Sequence, residues 1–262
     1  MTLETMTIEQ FENGVHVATI NNPPANTLNL GIQNDLIKII DRVKHDPSIR
    51  VLVFKSAHPK IFIAGADLGQ MSNVEGPIDY AEGAKQLQDV FNALEQLPIP
   101  TIAAINGHAL GGGCEFALAC DFRIMGSGTI GLTEASLGLL PAAGGTQRLP
   151  RLIGSAKARE LMFFSKRLNA AEAQAIGLVT KAVEPAVLDE EVYKFANTLA
   201  QGAIKAIGLI KESILAVDST LEAGLKVERE AFAKTFLTGE PEEGMKAFFE
   251  KRAPNFSQQL TT

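Results

Sequence analysis

Residues 101–121 read TIAAINGHALGGGCEFALACD, and the class of fold follows from this stretch. Its first ten residues are mostly apolar, which indicates one strand buried on both faces of a sheet. Three glycines, Gly111 to Gly113, then open a helix, and a strand that runs directly into a helix is typical of α/β folds. Glycines at a helix start let the backbone approach a ligand and leave N–H groups pointing outward, where they suit an oxyanion or a phosphate.

Two interpretations of these glycines remain open from the sequence. A nucleotide site is disfavoured, because no GxGxxG pattern occurs and no Gly-Lys-Ser/Thr follows the glycines. An oxyanion site is one interpretation. Tight packing of the helix against its strand explains the glycines equally well.

The segments before and after this stretch extend the alternation of strands and helices. Residues 7–20 predict a β-hairpin, because Glu12-Asn13-Gly14 supplies a turn between two strand-like runs. The alternation predicts an α/β core with right-handed crossovers. The other elements predicted here are a helix over 28–43, a strand over 50–57, a helix over 79–97 and a strand over 122–126.

After about Ala143 the pattern is almost entirely helical, interrupted by one strand in LVTKAV at 178–183. The last helices carry apolar faces, and packing of these faces on a partner subunit is favoured over folding back onto the core. We therefore predict an α/β core over 1–190 and a helical region over 191–262 that packs on the core and on neighbouring subunits. The aromatic residues of that region are Phe232, Phe236, Phe248 and Phe249.

The composition disfavours several classes of protein. The 262 residues are 46% hydrophobic and carry a net charge of −6, so neither a nucleic-acid partner nor an anionic membrane surface is expected. No apolar run of about 18 residues occurs and MTLETMTIEQ does not resemble a signal peptide, so we expect a cytoplasmic protein without a membrane segment. Cys114 and Cys120 form no CxxC pair, so buried thiols are expected rather than a disulfide or a metal site.

Two glutamates are candidates for acid–base chemistry. Glu115 lies in the first turn of the glycine-led helix among apolar residues, and Glu134 lies in the apolar stretch TIGLTEASLGLLP. If they converge in a dry pocket, one can act as base and the other as acid. Spacing alone does not show convergence, and a surface or ion-paired carboxylate is the alternative for each. For Arg148 and Arg151, pairing within their own helix is the simplest interpretation.

Three blocks, taken together, resemble the enoyl-CoA hydratase/isomerase (crotonase) superfamily. They are IAGADL at 63–68, NGHALGGGCEFALACD at 106–121 and GLLPAAGGTQRLPRLIG at 138–154, in the order typical of the family. Similar flanking motifs, such as AIGLVTKAV at 175–183, extend the resemblance over almost the whole chain. It implies a crotonase-like (ClpP/crotonase) α/β core of repeated ββα units with a C-terminal helical trimerisation region. The assembly implied is a homotrimer or a dimer of trimers.

The resemblance also implies the residues of the site. Members of the family bind acyl-CoA and hold a thioester enolate with two backbone N–H groups, which correspond here to those of Ala66 and Gly112. Its hydratases carry two glutamates, and the matching residues are Glu115, expected to act as base on water, and Glu134, expected to protonate C2. The residues expected to contact CoA are Ala64, Asp67 and Leu68 in the first block and, from an adjacent subunit, Phe248 and Lys251.

The activity implied is the hydration of a trans-2-enoyl-CoA to a (3S)-3-hydroxyacyl-CoA, as in fatty-acid β-oxidation, with no metal and no cofactor. Three alternatives stay open: a Δ3-Δ2 enoyl-CoA isomerase, a hydratase for a branched or alicyclic enoyl-CoA, and an RNA-binding or structural homologue. Two positions depart from the pattern of the family. Gly69 replaces a lysine common in its hydratases, and Thr133 replaces the proline before the second glutamate. The loops at roughly 70–85 and 135–145 are expected to shape the acyl pocket.

Overall fold

A computed structural model of the chain describes residues 2–69 and 79–256. Within these residues the strands form one sheet of six strands and one of three. The strands are β1 (Met6–Gln10), β2 (Val15–Ile20), β3 (Val51–Ser56), β4 (Ile61–Ile63), β5 (Thr101–Ile105), β6 (His108–Leu110), β7 (Phe122–Met125), β8 (Ile130–Gly131) and β9 (Lys181–Ala182). The helices are α1 (Leu30–His45), α2 (Tyr80–Glu95), α3 (Gly112–Leu118), α4 (Gly145–Ile153), α5 (Ser155–Phe163), α6 (Ala170–Ala175), α7 (Leu188–Ala200), α8 (Ile204–Leu215), α9 (Leu221–Thr235) and α10 (Glu240–Glu250).

The larger sheet has the order β1-β2-β3-β5-β7-β9. Its first pair is antiparallel and the remaining pairs are parallel. The predicted hairpin is confirmed, with its turn at Asn13 (φ 57°) and Gly14 (φ 75°), both in the left-handed region that such turns require. The core is formed by this sheet and the helices packed on it, and the strands β3 and β5 at its centre are almost entirely buried.

The smaller sheet has the order β4-β6-β8, and all its strands are parallel. Three ββα units run through the two sheets: β3-β4-α2, β5-β6-α3 and β7-β8-α4. In each unit the first strand joins the larger sheet and the second joins the smaller one. The prediction of an α/β fold built from repeated ββα units, followed by helices, is confirmed.

The prediction of one continuous strand over 101–110 was wrong. The chain turns at Asn106 and Gly107 and enters the second sheet, so β5 and β6 lie in different sheets. The side chain of Asn106 holds this turn by donating to the carbonyl oxygens of Ser56 at 3.1 Å and His58 at 3.0 Å. A Cβ atom on Gly107 would lie 2.2 Å from the carbonyl carbon of Lys60, so only glycine fits. Hydrophobicity alone does not reveal such a break, because both strands are apolar.

Helix α3 is anchored in the core by one aromatic side chain. The ring of Phe116 is fully buried and lies 5.0 Å from the ring centre of Phe54, 5.7 Å from that of Phe91 and 5.9 Å from that of Phe62. These rings come from β3, α2 and β4, so the helix is fixed against three elements at once. Edge-to-face aromatic packing of this kind gives a well-defined orientation as well as buried area.

The predicted helices over 28–43 and 79–97 are confirmed with shifted ends, since α1 begins at Leu30 and α2 begins at Tyr80. Asn29 and Asp79 set these starts, because each side chain accepts an N–H from the first turn. Both cysteines are buried free thiols, as predicted. In the part of the chain that the structure describes, no helix has the length and apolar character needed to span a membrane.

The C-terminal helices leave aromatic side chains uncovered in the protomer. The rings of Phe232 and Phe236 contact each other on α9, and those of Phe248 and Phe249 contact each other on α10. All four side chains are more than half exposed. These four side chains therefore do not fold back onto the core of their own chain. Their apolar area is available to a further surface.

Candidate active site

The three segments singled out in the sequence meet at one edge of the smaller sheet. Ala66 follows β4, Gly112 and Glu115 follow β6, and Glu134 follows β8. Because β4, β6 and β8 are parallel neighbours, their carboxyl ends lie side by side. The carboxyl edge of a parallel sheet is where α/β proteins commonly bind ligands. The convergence that spacing alone could not show is thus a consequence of the topology.

The N–H groups of Ala66 and Gly112 are close to each other and available. A Cβ atom placed on Gly112 would lie 3.6 Å from the nitrogen of Ala66, and one on Gly65 would lie 3.8 Å from the nitrogen of Gly112. Ala66 pairs with Leu28 in a single parallel bridge, in which the N–H of Leu28 donates to the carbonyl of Gly65 at 2.8 Å. Over residues 2–69 and 79–256, no protein acceptor takes the N–H of Ala66 or Gly112.

Two glycines allow this close approach. Gly65 has φ +118°, and a side chain there would also press on the carbonyl oxygen of Leu110 at 3.1 Å. On Gly112 an added Cβ would lie 2.6 Å from Cδ1 of Leu28. Two unpaired N–H groups in such a recess can hold a developing oxyanion. Of the two interpretations of the glycine triplet, the geometry fits the oxyanion site, while Gly113 serves tight packing, with its Cβ position only 2.1 Å from the oxygen of Ile63.

Glu115 is a buried carboxylate held by the backbone. Its side chain is 3% exposed, and Oε1 accepts the N–H groups of Ala143 and Gly145, each at 2.8 Å. The pKa of Glu115 is raised to about 7, chiefly by burial and in addition by the charge of the nearby Glu134. The two N–H donors oppose this rise because they stabilise the charged form.

Glu134 opens a short 3-10 helix, Glu134–Leu137, and its carboxyl group turns toward Gly111. A Cβ atom on Gly111 would lie 3.0 Å from Oε1 of Glu134. Burial raises the pKa of Glu134 as well. Among the described residues its Oε2 is buried without a hydrogen-bond partner, which suits a group that protonates or accepts from a bound ligand.

The surroundings of both glutamates favour the neutral form of the carboxyl group. Both pKa values are raised, chiefly by burial, and the charge of Glu134 raises the pKa of Glu115 as well. The backbone N–H groups of Ala143 and Gly145 oppose this rise for Glu115, and the backbone N–H of Glu134 opposes it for Glu134. Two carboxyl groups with raised pKa values at one sheet edge can supply a base and an acid.

The predicted local pairing of the two arginines was wrong. Arg148 pairs with Glu95 of α2, with Nη2 and Oε2 2.9 Å apart, and Arg151 pairs with Asp218. Both partners are far away in sequence, and spacing along the helix cannot indicate them. The contacts of Arg148, and the segment 142–145 that binds Glu115, are the parts of the site that sequence reasoning missed; the GGTQRLPR motif was the available signal.

The residues predicted to contact CoA fall into two groups. Ala64, Asp67 and Leu68 lie beside Ala66 at the carboxyl end of β4, and Leu68 is 47% exposed. Phe248 and Lys251 lie at the end of α10, where Phe248 is 77% exposed. Within the described ranges, neither of these two residues has a hydrogen bond or ring contact with the two glutamates, or with the N–H groups of Ala66 and Gly112, of its own chain.

The structure does not describe the part of the predicted acyl loop that covers residues 70–78. The rest of that loop, from 79 onward, forms the first turn of α2, capped by Asp79. The second loop, 135–145, carries Leu137, Leu139 and Leu140 with exposed side chains. Among the described residues, no group of three or more His, Cys, Asp or Glu side chains is placed to hold a metal ion.

Comparison with known proteins places this site in a family. A profile of the enoyl-CoA hydratase/isomerase family matches residues 10–259. The chain belongs to this family. The resemblance seen in the three sequence blocks is thereby confirmed, and the matched range includes every segment that forms the edge of the smaller sheet.

Individual members of the enoyl-CoA hydratase/isomerase family are similar over almost their full length. The chain is 39% identical over 259 residues to a crotonyl-CoA hydratase of Syntrophomonas wolfei, covering 98% of this chain and 99% of that protein. It is 39% identical over 258 residues to a short-chain-enoyl-CoA hydratase of Clostridium acetobutylicum, covering 96% and 97%. The crystal structure of an enoyl-CoA hydratase from Bacillus anthracis superposes with a TM-score of 0.91 at 37% identity, covering 97% of this chain and 99% of that one.

Proposed function

We propose that the protein is an enoyl-CoA hydratase, a hydro-lyase that adds water to a trans-2-enoyl-CoA to give a (3S)-3-hydroxyacyl-CoA. The observation that carries the proposal is the buried Glu115 and the half-buried Glu134 at the same sheet edge as the free N–H groups of Ala66 and Gly112. The names of the similar proteins support the same reaction.

Binding begins with the thioester carbonyl of the substrate. Its oxygen accepts the N–H groups of Ala66 and Gly112, and Gly112 lies at the first turn of α3, where the helix dipole favours negative charge. These donors stabilise the enolate more strongly than the neutral thioester, because the negative charge develops on the same oxygen. Polarisation of the carbonyl makes C3 of the conjugated system susceptible to attack by water.

Water addition then uses the two glutamates in different roles. Glu115 takes one proton from a water molecule, the water oxygen bonds to C3, and the electrons of the C2–C3 double bond move toward the thioester oxygen. Glu134 gives its proton to C2 as the carbonyl re-forms, so the elements of water are added in full. This assignment is supported by the two N–H donors on Glu115, which favour its carboxylate form. Exchange of the proton from Glu115 to Glu134 returns the pair to its starting state.

The main alternative within the family is a Δ3-Δ2 enoyl-CoA isomerase. An isomerase moves one proton between C4 and C2 and needs a single base, so a second glutamate has no required role. The presence of both glutamates therefore favours the hydratase. Leu137, Leu139 and Leu140, in the loop expected to shape the acyl pocket, have exposed side chains. Straight, branched and alicyclic trans-2-enoyl-CoAs are therefore compared in the assay.

The remaining parts of the proposal concern assembly and location. A homotrimer or dimer of trimers would cover the exposed aromatic faces of α9 and α10 and bring Phe248 and Lys251 to the CoA bound by a neighbouring subunit. We place the core at 1–190 and the helical region at 191–262. The CoA thioester is the substrate, no other cofactor takes part, and the proposed location is the cytoplasm.

The test is turnover of defined acyl-CoA thioesters by the purified protein. We expect trans-2-butenoyl-CoA to lose its conjugated thioester absorbance and to yield the (3S)-3-hydroxy product, with chain-length preference mapped on longer trans-2-enoyl-CoAs. Conversion of trans-3-hexenoyl-CoA to the trans-2 isomer, without hydration of any trans-2 substrate, would instead establish the isomerase.

Gly111 offers a test of the position of Glu134. Gly111→Ala should destabilise the fold by about 1–3 kcal/mol, because Gly111 has φ +53° with ψ −123°, a conformation accessible essentially only to glycine. It should also lower kcat at least tenfold, because the new Cβ displaces Glu134. The matched control is Gly177→Ala, where φ is +77° and no atom lies within 4 Å of the added Cβ. That variant should lose about 1 kcal/mol and keep its kcat; equal kcat values for the two would contradict the placement.

A further inference from the structure

The segment 142–145 supplies both N–H groups that bind Glu115. A peptide group is a rigid plane, so fixing its carbonyl also fixes the N–H on the other side. The N–H of Ala143 belongs to the same plane as the carbonyl of Ala142. That carbonyl accepts a hydrogen bond from the side-chain Nε2 of Gln88, on α2, at 2.7 Å. The first donor to Glu115 is therefore held by a residue outside the pocket.

Arg148 holds the rest of the segment. Its Nη1 donates to the carbonyl of Ala143 at 3.1 Å, and its backbone N–H donates to the carbonyl of Gly144 at 2.8 Å. The carbonyl of Gly144 shares a plane with the N–H of Gly145, the second donor to Glu115. Gly144 has φ +108°, and a Cβ atom there would lie 2.1 Å from Nη1 of Arg148. The guanidinium thus occupies the space that a side chain at 144 would need.

The other nitrogens of the guanidinium anchor it to α2. Nε and Nη2 of Arg148 donate to Oε2 of Glu95 at 3.1 and 2.9 Å, and Nη2 also donates to Oδ1 of Asn92 at 2.6 Å. The Arg148 side chain is only 10% exposed. All three nitrogens are engaged, so the side chain has one orientation, and the planar fork is needed to reach α2 and the segment 142–145 together.

The charges that face Glu115 come from several elements. Arg148 on α4 lowers the pKa of Glu115, whereas Glu134 on the 3-10 helix raises it. On its own helix, burial raises the pKa of the Cys114 thiol, which therefore stays neutral. On β6 the ionisable residue is His108, an exposed side chain, and β4 carries only apolar side chains. Arg148 is thus the cation facing Glu115 among the described residues.

We propose that Arg148 is a positioning residue for the reaction: its guanidinium holds the peptide group that lies between the two N–H donors to Glu115 and, through Glu95, ties that peptide to α2. This inference rests on the proposed function, since it concerns the base of that reaction. Arg148 does not contact the reacting atoms in this arrangement. Its effect is transmitted through the carbonyl of Ala143 and through its charge.

The first variant is Arg148→Met, which keeps the apolar stem of the side chain and removes the charge and the donors. We expect kcat for trans-2-butenoyl-CoA to fall roughly 10- to 100-fold, with KM changed less than about threefold, because small displacements of a reacting group reduce turnover steeply. We also expect the acidic limb of the kcat/KM–pH profile to move to higher pH, since Glu115 loses the nearby cation.

Two further variants separate charge from geometry. Arg148→Lys keeps the cation but cannot bind Glu95, Asn92 and the carbonyl of Ala143 together, so the acidic limb should return toward that of the wild type while kcat recovers only in part. The matched control is Arg151→Met, one turn later on α4, whose partner Asp218 lies on the surface. Its kcat and its pH profile should equal those of the wild type.

A loss of kcat in Arg148→Met without a shift of the acidic limb would overturn the proposal, because it would show a merely structural role. So would wild-type kcat and an unshifted limb in that variant.

A second measurement is independent of turnover. Relative to that of Glu115→Gln, the unfolding free energy of the chain should fall as pH rises from the ordinary glutamate pKa of about 4.3 to the raised pKa of Glu115.

The same comparison in the Arg148→Met background should extend this fall to higher pH, because the pKa of Glu115 rises when the nearby cation is removed. If the wild type hydrates no enoyl-CoA, the proposed function fails, yet this shift still decides whether Arg148 acts on Glu115. A fall that ends at the same pH in both backgrounds would reject the coupling even if hydration is confirmed.

Discussion

Glu134→Gln is expected to lower kcat for hydration of trans-2-butenoyl-CoA by about 10²- to 10⁴-fold, the usual contribution of a general acid. Glutamine fills the same volume beside Gly111 but cannot give a proton to C2. Binding of the CoA thioester does not depend on this proton, so KM should change less than about threefold. Stopped or continuous absorbance assays at saturating substrate measure both values.

Glu115→Gln should cause a loss of similar size for a different reason. The glutamine oxygen still accepts the N–H groups of Ala143 and Gly145, so the pocket keeps its shape while the base is removed. The double variant should be little worse than either single one, because residues that act as a unit in one step are not additive. The control is Glu172→Gln on α6, where glutamine still satisfies the capping box with Asn169. Full activity in either site variant would contradict the assigned roles.

Ala66→Pro is expected to lower kcat by about 10²- to 10³-fold, the usual cost of losing one oxyanion donor. Proline removes the N–H of Ala66 and leaves the bridge to Leu28 in place, because that bridge uses the N–H of Leu28 and the carbonyl of Gly65. The preceding residue is a glycine, so the proline ring meets no Cβ there. Thermal unfolding of the variant, compared with the wild type, shows whether the fold is kept.

The control for this variant is Ala66→Ser, which keeps the N–H and adds a hydroxyl at an exposed position. It should retain kcat within about threefold. An Ala66→Pro protein that unfolds at the wild-type temperature and turns over at the wild-type rate would show that the N–H of Ala66 does not hold the oxyanion. The N–H of Gly112 would then have to act without it.

The sequence predicted the elements well where local signals exist. The hairpin turn at 12–14, the helices of the second half and the glycine-led helix all follow from periodicity and from turn or cap residues. It failed at Asn106 and Gly107, because a change of sheet leaves no trace in hydrophobicity when both strands are buried. The shifts at the starts of α1 and α2 have a similar origin, since the capping roles of Asn29 and Asp79 are decided by a few atoms.

The site was only partly predictable for a different physical reason. Glu115 and Glu134 lie at the same sheet edge because β6 and β8 are parallel neighbours. The spacing of residues along the sequence does not show which strands become neighbours. The resemblance to the family supplied this information indirectly. The pairing of Arg148 with Glu95 was missed because it joins elements far apart in sequence, and a helical spacing rule considers only neighbours on the same helix.

The most direct test of the central claim is conversion of trans-2-butenoyl-CoA in ¹⁸O-labelled water, with mass and chiral analysis of the product. We predict one ¹⁸O atom at C3 of (3S)-3-hydroxybutanoyl-CoA, formed rapidly by the wild type and at least about 100-fold more slowly by Glu134→Gln. No incorporation by the wild type, on this substrate or on longer trans-2-enoyl-CoAs, would contradict water addition at this pair of glutamates.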